Sequence, residues 1–571
     1  MLTASYGHEI AILNEISGEA DYIAYDTIFL RGVGVSIEGA KLLEVSGGEG
    51  ITAVYRAGKC YVIRRITTGN GYHEGVLVFN PTHSPVELDV AFSYSTPFED
   101  ILEADWGRVE RHPLQEGNTL VWKGADGRVR RLKIEEKSGK ITVAPRSTET
   151  CFLRATPSVE GSHQIAPPLP AGIKLDFLVP RAEPYIGGMA ARDLERLLVR
   201  VDGNLFPLAG IPYFAAIFGR DSLWTSFFLL DVFPELARGV LLTLARLQGR
   251  KWDERSEEEP GKIPHEYRFG ELCQAGRIPF SPYYGSVDST PLYVALAGEY
   301  LTRTGDRGTV RTLRESLTSA VGWILRRLGE GEGYIRYGRG LLENQGWKDW
   351  KGSIPDESGE QAVHPIALVE VQAYAYWALR LAGELELTGL DGEMLLKTAR
   401  ELRERFNRDF WTGEYYALAI DGRGRAIGVA SSNMGHVLIT GIADRIDETA
   451  ERLFRPNLFS GLGVRTLGTE ERAYNPMSYH NGSVWPHDNA IICLGLLRAG
   501  KVGEAKALAR AQVKAFRALG KIPELFAGFS EPVPVPYANC PQAWSAAGAL
   551  AMLRVLGGGR KVKFREQRVR A

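Results

Sequence analysis

The 571-residue chain is poor in cysteine. Its five, Cys60, Cys151, Cys273, Cys493 and Cys540, are scattered and never spaced as CxxC. That pattern supports neither a disulfide framework nor a structural zinc site, and a reducing, cytoplasmic setting is the expectation. Long hydrophobic runs are missing too. Nothing approaches the ~20 apolar residues of a spanning helix, so no membrane partner is expected. The opening stretch MLTASYGHEIAILNEISGEADY has no basic start followed by an apolar run, and we read no signal peptide there. Charge of either sign is not in excess: 68 basic and 69 acidic residues leave a net charge of -1. The basic footprint of a nucleic-acid binder is therefore absent, and a neutral substrate suits the balance better than a polyanion. The chain also lacks a GxSxG elbow, a GxxxxGK[ST] loop, an HExxH helix and a full GxGxxG. Serine-hydrolase, P-loop, zincin and dinucleotide chemistry thus lose their usual signatures.

What is present is ordinary globular composition, 44% hydrophobic and 24% charged. The length calls for more than one domain. Few Met and Cys against abundant Arg, Glu and Gly lean towards a thermophilic source. Character changes near residue 180. Before it, β-like runs such as Thr52 to Tyr55, Cys60 to Arg65, Gly75 to Phe79 and Val86 to Tyr94 alternate with turn dipeptides. We expect an N-terminal antiparallel β-sandwich over residues 1–180, closed by a proline-rich linker from Ala166 to Pro184. After it, apolar residues recur at helical spacing in Ser226 to Leu247, Pro291 to Leu301, Thr309 to Leu328, Ile366 to Leu385, Met394 to Phe406, Asn489 to Ala499, Glu504 to Leu519 and Gln542 to Leu556. Glycines such as Gly305 and Gly500 are placed to end helices. Nine of the eleven tryptophans follow residue 200. Paired helices joined by long aromatic-rich loops, with no fixed repeat, suggest a toroid over 181–571 with its site on one rim.

The loops carry the chemistry: IFGRDSLW (217–224), GKIPHEYRFGE (261–271), YYGSVDSTPLY (283–293), ENQGWKDWKGS (343–353), YNPMSYHNGSVWPHDNA (474–490) and KIPELFAGFS (521–530). Each sets Asp or Glu beside aromatics, Arg, His or Asn. Sugars need that mixture, because flat rings cover the C–H face of a pyranose while amides, carboxylates and Arg bind its hydroxyls. Cleaving a glycosidic bond further needs two flanking carboxyls, one protonated and one ionised. Asp349, between Trp347 and Trp350, sits where an apolar pocket would raise its pKa. Glu524, in IPELF, is placed to project from a loop. Residue chemistry alone leaves other candidates open: Asp221, Glu266, Asp288 and Asp488. Asp349 can equally pair with Lys348 or Lys351, and Asp288, Ser289 or Thr290 can cap the helix at Pro291. His480 and His487 have six residues between them, a spacing that fits no standard zinc motif.

Taken together, IFGRDSLW, EEEPGKIPHE, YYGSVDSTPLY, NQGWKDW, NPMSYHNGSVWPHDNA and PELFAGF resemble the amylo-α-1,6-glucosidase domain of glycogen debranching enzymes, over residues 185–556. STPFEDILEADWG is similar to the β-rich domain that precedes it in bacterial and archaeal members. The resemblance implies an (α/α)6 barrel of the six-hairpin glycosidase type and an inverting, exo-acting α-glucosidase. It implies Asp349 as general acid and Glu524 as general base. Arg220, Asp221, His265, Glu266, Trp347, Lys348, His480, Asn481 and Trp485 would line the sugar subsite nearest the cut. It implies no cofactor and no metal, and an α-glucan or oligosaccharide substrate such as a branch stub. Where the family often has WKDS, this chain has Trp350. Relatives with this barrel also cleave small α-glycosides. An isomaltose-type disaccharide or a glycosylglycerate is therefore the second reading, with a phosphorylase or a non-catalytic carbohydrate binder behind it.

Overall fold

The computed structural model describes residues 2–14, 17–47, 50–161 and 168–557. Residues 166 and 167 of the expected linker lie outside that set. The first part is antiparallel sheet. Its strands are β1 (Leu2–Tyr6), β2 (Glu9–Leu13), β3 (Ala20–Ala24), β4 (Thr27–Ile37), β5 (Ala40–Ser46), β6 (Ile51–Ala57), β7 (Cys60–Thr68), β8 (Tyr72–Phe79), β9 (Val86–Ser95), β10 (Leu114–Glu116), β11 (Thr119–Lys123), β12 (Val129–Lys137), β13 (Gly139–Val143) and β14 (Thr148–Glu160). One sheet runs β1-β2-β3-β4-β9-β13 and the other β10-β11-β12-β14-β8-β7-β6-β5. Alternation explains β7, whose CYVIRRI run buries every second side chain. The two sheets share apolar clusters: Tyr22, Phe29 and Leu30 of the first pack with Ile66, Tyr72 and Leu153 of the second. Inside this core Arg64 and Glu74 form a buried ion pair of 2.6 Å, which Val33 O (2.9 Å) also helps to satisfy.

From residue 184 the chain is mainly helical. The helices of eleven residues or more are α1 (Pro184–Leu197), α2 (Gly219–Leu229), α3 (Pro234–Leu247), α4 (Ser289–Thr304), α5 (Arg314–Glu330), α6 (Val369–Glu384), α7 (Gly392–Asp409), α8 (Pro486–Arg498), α9 (Val502–Leu519) and α10 (Ala543–Leu556). The expected helix over 226–247 is two. Pro234 disfavours helical geometry at Phe233, which sits at φ -144° and ψ 60°, so α2 ends and α3 starts afresh. At its other end α2 begins at Gly219, so GRDSLW is the first turns of a helix and not a loop. Gly305 ends α4 in the left-handed region (φ 71°), and Gly500 follows α8 at φ 80°.

Two classes of helix separate by burial. α2, α4, α6, α8 and α10 are buried almost all round, whereas α1, α3, α7 and α9 have polar outer faces. α2 packs on α4 and α4 on α6; α6 meets the buried segment Ser432–Thr440, which packs on α8; α8 packs on α10, and α10 returns to α2. Small residues permit the contacts. A Cβ on Gly298 of α4 would stand 2.8 Å from Leu381 of α6, and one on Gly548 of α10 would stand 2.8 Å from Ala490 of α8. The strand-rich part is not separate, since Ile10, Ile23 and Ile28 belong to the same apolar core as the helices.

Gly219 is where backbone approach is closest at the start of α2. Its N–H donates to His265 O (2.9 Å), and a Cβ there would lie 2.2 Å from Pro264 O. Gly219→Ala must push α2 off the 264–265 segment. We expect a loss of about 1–3 kcal/mol in urea unfolding; an unchanged midpoint would contradict this packing.

Candidate active site

One cavity of about 710 Å³ collects most of the residues singled out in the sequence. Its lining includes Arg220, Asp221, His265, Glu266, Trp347, Asp349, His480, Trp485 and Glu524. They come from five segments. Arg220 and Asp221 are in the first turn of α2. Glu266 lies on a short strand pair, in which Phe218 faces Glu266 and Ile217 faces Tyr267, and His265 immediately precedes it. Trp347 and Asp349 are in the loop between α5 and α6, His480 and Trp485 lead into α8, and Glu524 lies between α9 and α10. Asp221, Glu370 and Asp488 all sit in first turns of inner helices, where the positive end of each helix dipole faces an acid.

Two expected residues do not line the cavity. Lys348 is fully buried and points behind it, donating from Nζ to Thr466 O at 2.5 Å. Burial brings its pKa down to about 8. Asn481 uses its Nδ2 to hold Gly352 O (2.8 Å), tying the 343–353 loop to the 474–490 loop. Both sit next to lining residues, which is why motif reading swept them in. Asp288 does not cap α4. Its Oδ2 accepts from Arg220 Nε at 2.6 Å, and it makes no side-chain cap bond.

Sequence reading missed the residues that hold Glu524. Its Oε1 accepts from Tyr479 Oη (2.7 Å); its Oε2 accepts from Asn539 N (3.0 Å) and Nδ2 (2.8 Å). Tyr479 lay unremarked within YNPMSYHNGS, and Asn539 stands in a stretch with no motif at all. Gln542, Trp544, Tyr213 and Tyr537 are further lining residues without a signal. The apolar wall is aromatic: the His480 ring stacks on Trp485 (5.0 Å between centroids, 11°), and Trp347 meets both edge-on. Trp350 stands at the mouth, 65% exposed, with its edge towards Tyr479.

With this geometry in view, comparison with known proteins becomes informative. Residues 291–531 match the family model described as the mannosylglycerate hydrolase MGH1-like glycoside hydrolase domain. The chain carries a glycoside hydrolase domain. Among solved structures, it is similar to the GH63 mannosylglycerate hydrolase from Thermus thermophilus in complex with Tris, at 16% identity and a TM-score of 0.50. It is similar to the same enzyme with Tris and D-glycerate, and to an uncharacterized conserved protein of that organism, each at 15% identity and a TM-score of 0.50. In all three, 64% of this chain covers 99% of the other, leaving over a third of this chain outside the match. At such identity the likeness speaks to the fold. No curated protein matches the sequence. The matches reach a glycoside hydrolase and do not name an amylo-α-1,6-glucosidase.

Electrostatics divide the cavity's carboxyls. Burial would raise Asp349, but its contact with His480 (Nε2 at 3.5 Å) and the charge of Arg220 (Nη1 at 3.1 Å) outweigh burial and hold it below the usual carboxylate range. The apolar setting expected from its Trp neighbours is thus overruled by two nitrogen partners. Burial pushes Glu524 up against its three donors. Asp221 is pushed up to about 8 by burial and by the nearby charges of Asp349 and Glu524, against the pull of Arg220. Its Oδ2 lies 3.3 Å from the Gln542 amide. With that amide turned over, Gln542 Oε1 accepts from Trp544 Nε1 (3.2 Å) and Nε2 donates to Ala209 O (3.3 Å). The oxygen then faces Asp221 and calls for a protonated carboxyl. His265 is taken down to about 3 by burial and Arg220, and so stays neutral. Among the described residues, no group of three or more His, Cys, Asp or Glu is placed to hold a metal ion.

The raised Asp221 has a stability consequence. An unfolded Asp titrates near 3.9, so between about pH 4 and 8 the native state keeps a proton that the unfolded chain has lost. Its contribution is whole below about pH 4 and is lost as pH rises towards 8. Asp221→Asn should therefore gain stability relative to the parent from pH 5 to pH 8, read from denaturant midpoints. A constant gap across that range would contradict a protonated Asp221.

Proposed function

We propose that the protein hydrolyses a small α-linked glycoside with inversion, using Asp349 as general acid and Glu524 as general base. The observation that carries this is the convergence of those two carboxyls, both within the stretch that matches the glycoside hydrolase family model and far apart in sequence, on one aromatic-lined cavity. Glu524, held by three hydrogen-bond donors, is oriented to take a proton from water. Asp349 rests ionised against Arg220 and His480 and takes up its proton when a sugar draws one of those partners onto its own hydroxyls. Arg220 can yield, because Asp288 keeps it paired. The family model and the similar solved structures bear the name of mannosylglycerate hydrolase, which favours a glycosylglycerate-type or disaccharide substrate over a branch stub. The branch-stub reading rests on sequence motifs alone.

The same proposal reads the closed order of inner helices as an (α/α)6 barrel, with residues 181–571 as the catalytic domain and 1–180 as a β-sandwich domain before it. The alternation of buried and half-exposed helices supports it.

Asp349→Asn and Glu524→Gln should each lower kcat by several orders of magnitude with the fold intact by circular dichroism. NMR of the first product should show the anomer opposite to the substrate's linkage, and a retained configuration would sink inversion. A panel of glucosylglycerate, mannosylglycerate, isomaltose, panose and limit dextrin separates the readings, with turnover expected on the small glycosides. Trp350→Ser opens the mouth. It should change KM by roughly tenfold with kcat nearly kept, in line with lost aromatic contact of ~1 kcal/mol; equal falls in kcat would place Trp350 elsewhere in the reaction.

A further inference from the structure

The wall of the cavity that carries Glu266 belongs to a long connection, residues 248–288 between α3 and α4. Its 266–272 stretch is held from the strand-rich part by carboxylates running in both directions. Asp26 Oδ2 accepts from Phe269 N (2.8 Å), and Asp100 Oδ2 accepts from Leu272 N (2.9 Å). In return, Glu271 accepts from Ala125 N (2.8 Å) and Trp122 Nε1 (3.0 Å). One of these contacts reaches the cavity itself. Arg268 extends Nη1 to Asp26 Oδ1 (3.4 Å), Nη2 to Tyr213 O (3.2 Å) and Nε to Glu266 Oε1 (2.9 Å). Tyr213 and Glu266 both line the cavity, and all three charged groups of the chain Asp26–Arg268–Glu266 are buried.

The turn that presents Asp26 is unusual. Tyr25 and Asp26 are the two residues between β3 and β4, and both lie in the left-handed region, at φ 52° and 56°. Such two-residue turns ordinarily use Asn or Gly. Here the Tyr25 ring stacks on His8 (3.9 Å between centroids) and Asp26 takes Phe269 N and Arg268. Strained backbone of this kind persists where the side chain it aims is needed.

We infer that Asp26 is a positioning residue of the cavity: through Arg268 it fixes the carboxylate of Glu266 for substrate, so the strand-rich part is a working component of the site. Without Asp26, Arg268 is free to draw Glu266 out of its place. The inference rests on the hydrolase reading above only for the choice of assay.

The test is a double-mutant cycle of Asp26→Asn, Glu266→Gln and the pair. Asn keeps the left-handed turn and can still accept from Phe269 N, so the substitution removes the negative charge that faces Arg268 and little else. Asp26→Asn should raise KM roughly tenfold with kcat within about threefold, at an unchanged unfolding midpoint. In the Glu266→Gln background it should add less than about twofold. A merely structural role would cost the same factor in both backgrounds, and that result, or an unaltered KM, overturns the inference. The cycle is run in parallel on Kd for glucose and mannose by titration calorimetry. A parent protein that binds sugar without cleaving any glycoside would sink the hydrolase reading alone, and the cycle in Kd would still decide the role of Asp26. Absence of both turnover and sugar binding would overturn both.

Discussion

Arg220 is a guanidinium 2% exposed in the first turn of α2, between Asp288 at 2.6 Å and Asp349 at 3.1 Å. A buried cation in such a place is costly unless it is paired and hydrogen-bonded, and the surroundings follow from satisfying it. Asp288 gives up capping α4 to serve it, which couples the starts of two inner helices. Asp349 comes to it from the α5–α6 loop and so fixes where that loop enters the cavity. Gly219, just before it, lets the turn approach the 264–265 segment, so His265 and Glu266 are set by the same local constraint.

The one cation also explains why three carboxyls in one cavity behave differently. Asp349 is bonded to it and is held below the usual carboxylate range; Asp221 is adjacent in sequence but meets the Gln542 amide instead, and burial pushes it up to about 8. Glu524 lacks a cationic partner among its bonds and relies on neutral donors, Tyr479 and Asn539. In the resting site the separation runs opposite to the proposed roles, with the acid Asp349 held low and the base Glu524 pushed up, so the acid has to gain its proton as substrate displaces a partner. The expectation that indole rings beside Asp349 would raise it failed, because short contacts with nitrogen outweigh apolar neighbours.

Much of this arrangement was legible in the chain. Period-two burial in Cys60–Thr68 and helical spacing in Val369–Glu384 express the two sides of the change near residue 180 directly. The aromatic and acidic motifs marked segments that line the cavity. What could not be read is which way a side chain leaves its loop. Lys348 and Asp349 are neighbours in WKD, yet one faces Thr466 behind the cavity and the other faces the cavity. Nor could long-range partners be read. Asn539 matters because it meets Glu524 across 15 residues of irregular chain, and Asp26 because it meets Phe269 across 243. Neither distance leaves a periodic trace.

That second contact bears on why the strand-rich part is there at all. The connection between α3 and α4 is irregular over most of its length, and the N–H groups of Phe269 and Leu272 find their acceptors in the strand-rich part. The carboxylates of Asp26 and Asp100 supply acceptors to its N–H groups, and Glu271 closes the staple from the other side. The solved structures similar to this protein leave over a third of this chain unmatched. The strand-rich part is packed into the same core as the helices and touches the cavity wall within one side chain of Glu266. A module that only tethered the enzyme to a polymer would need no such bonds. Charged groups buried at the junction and aimed at the wall suit a part that shapes the pocket.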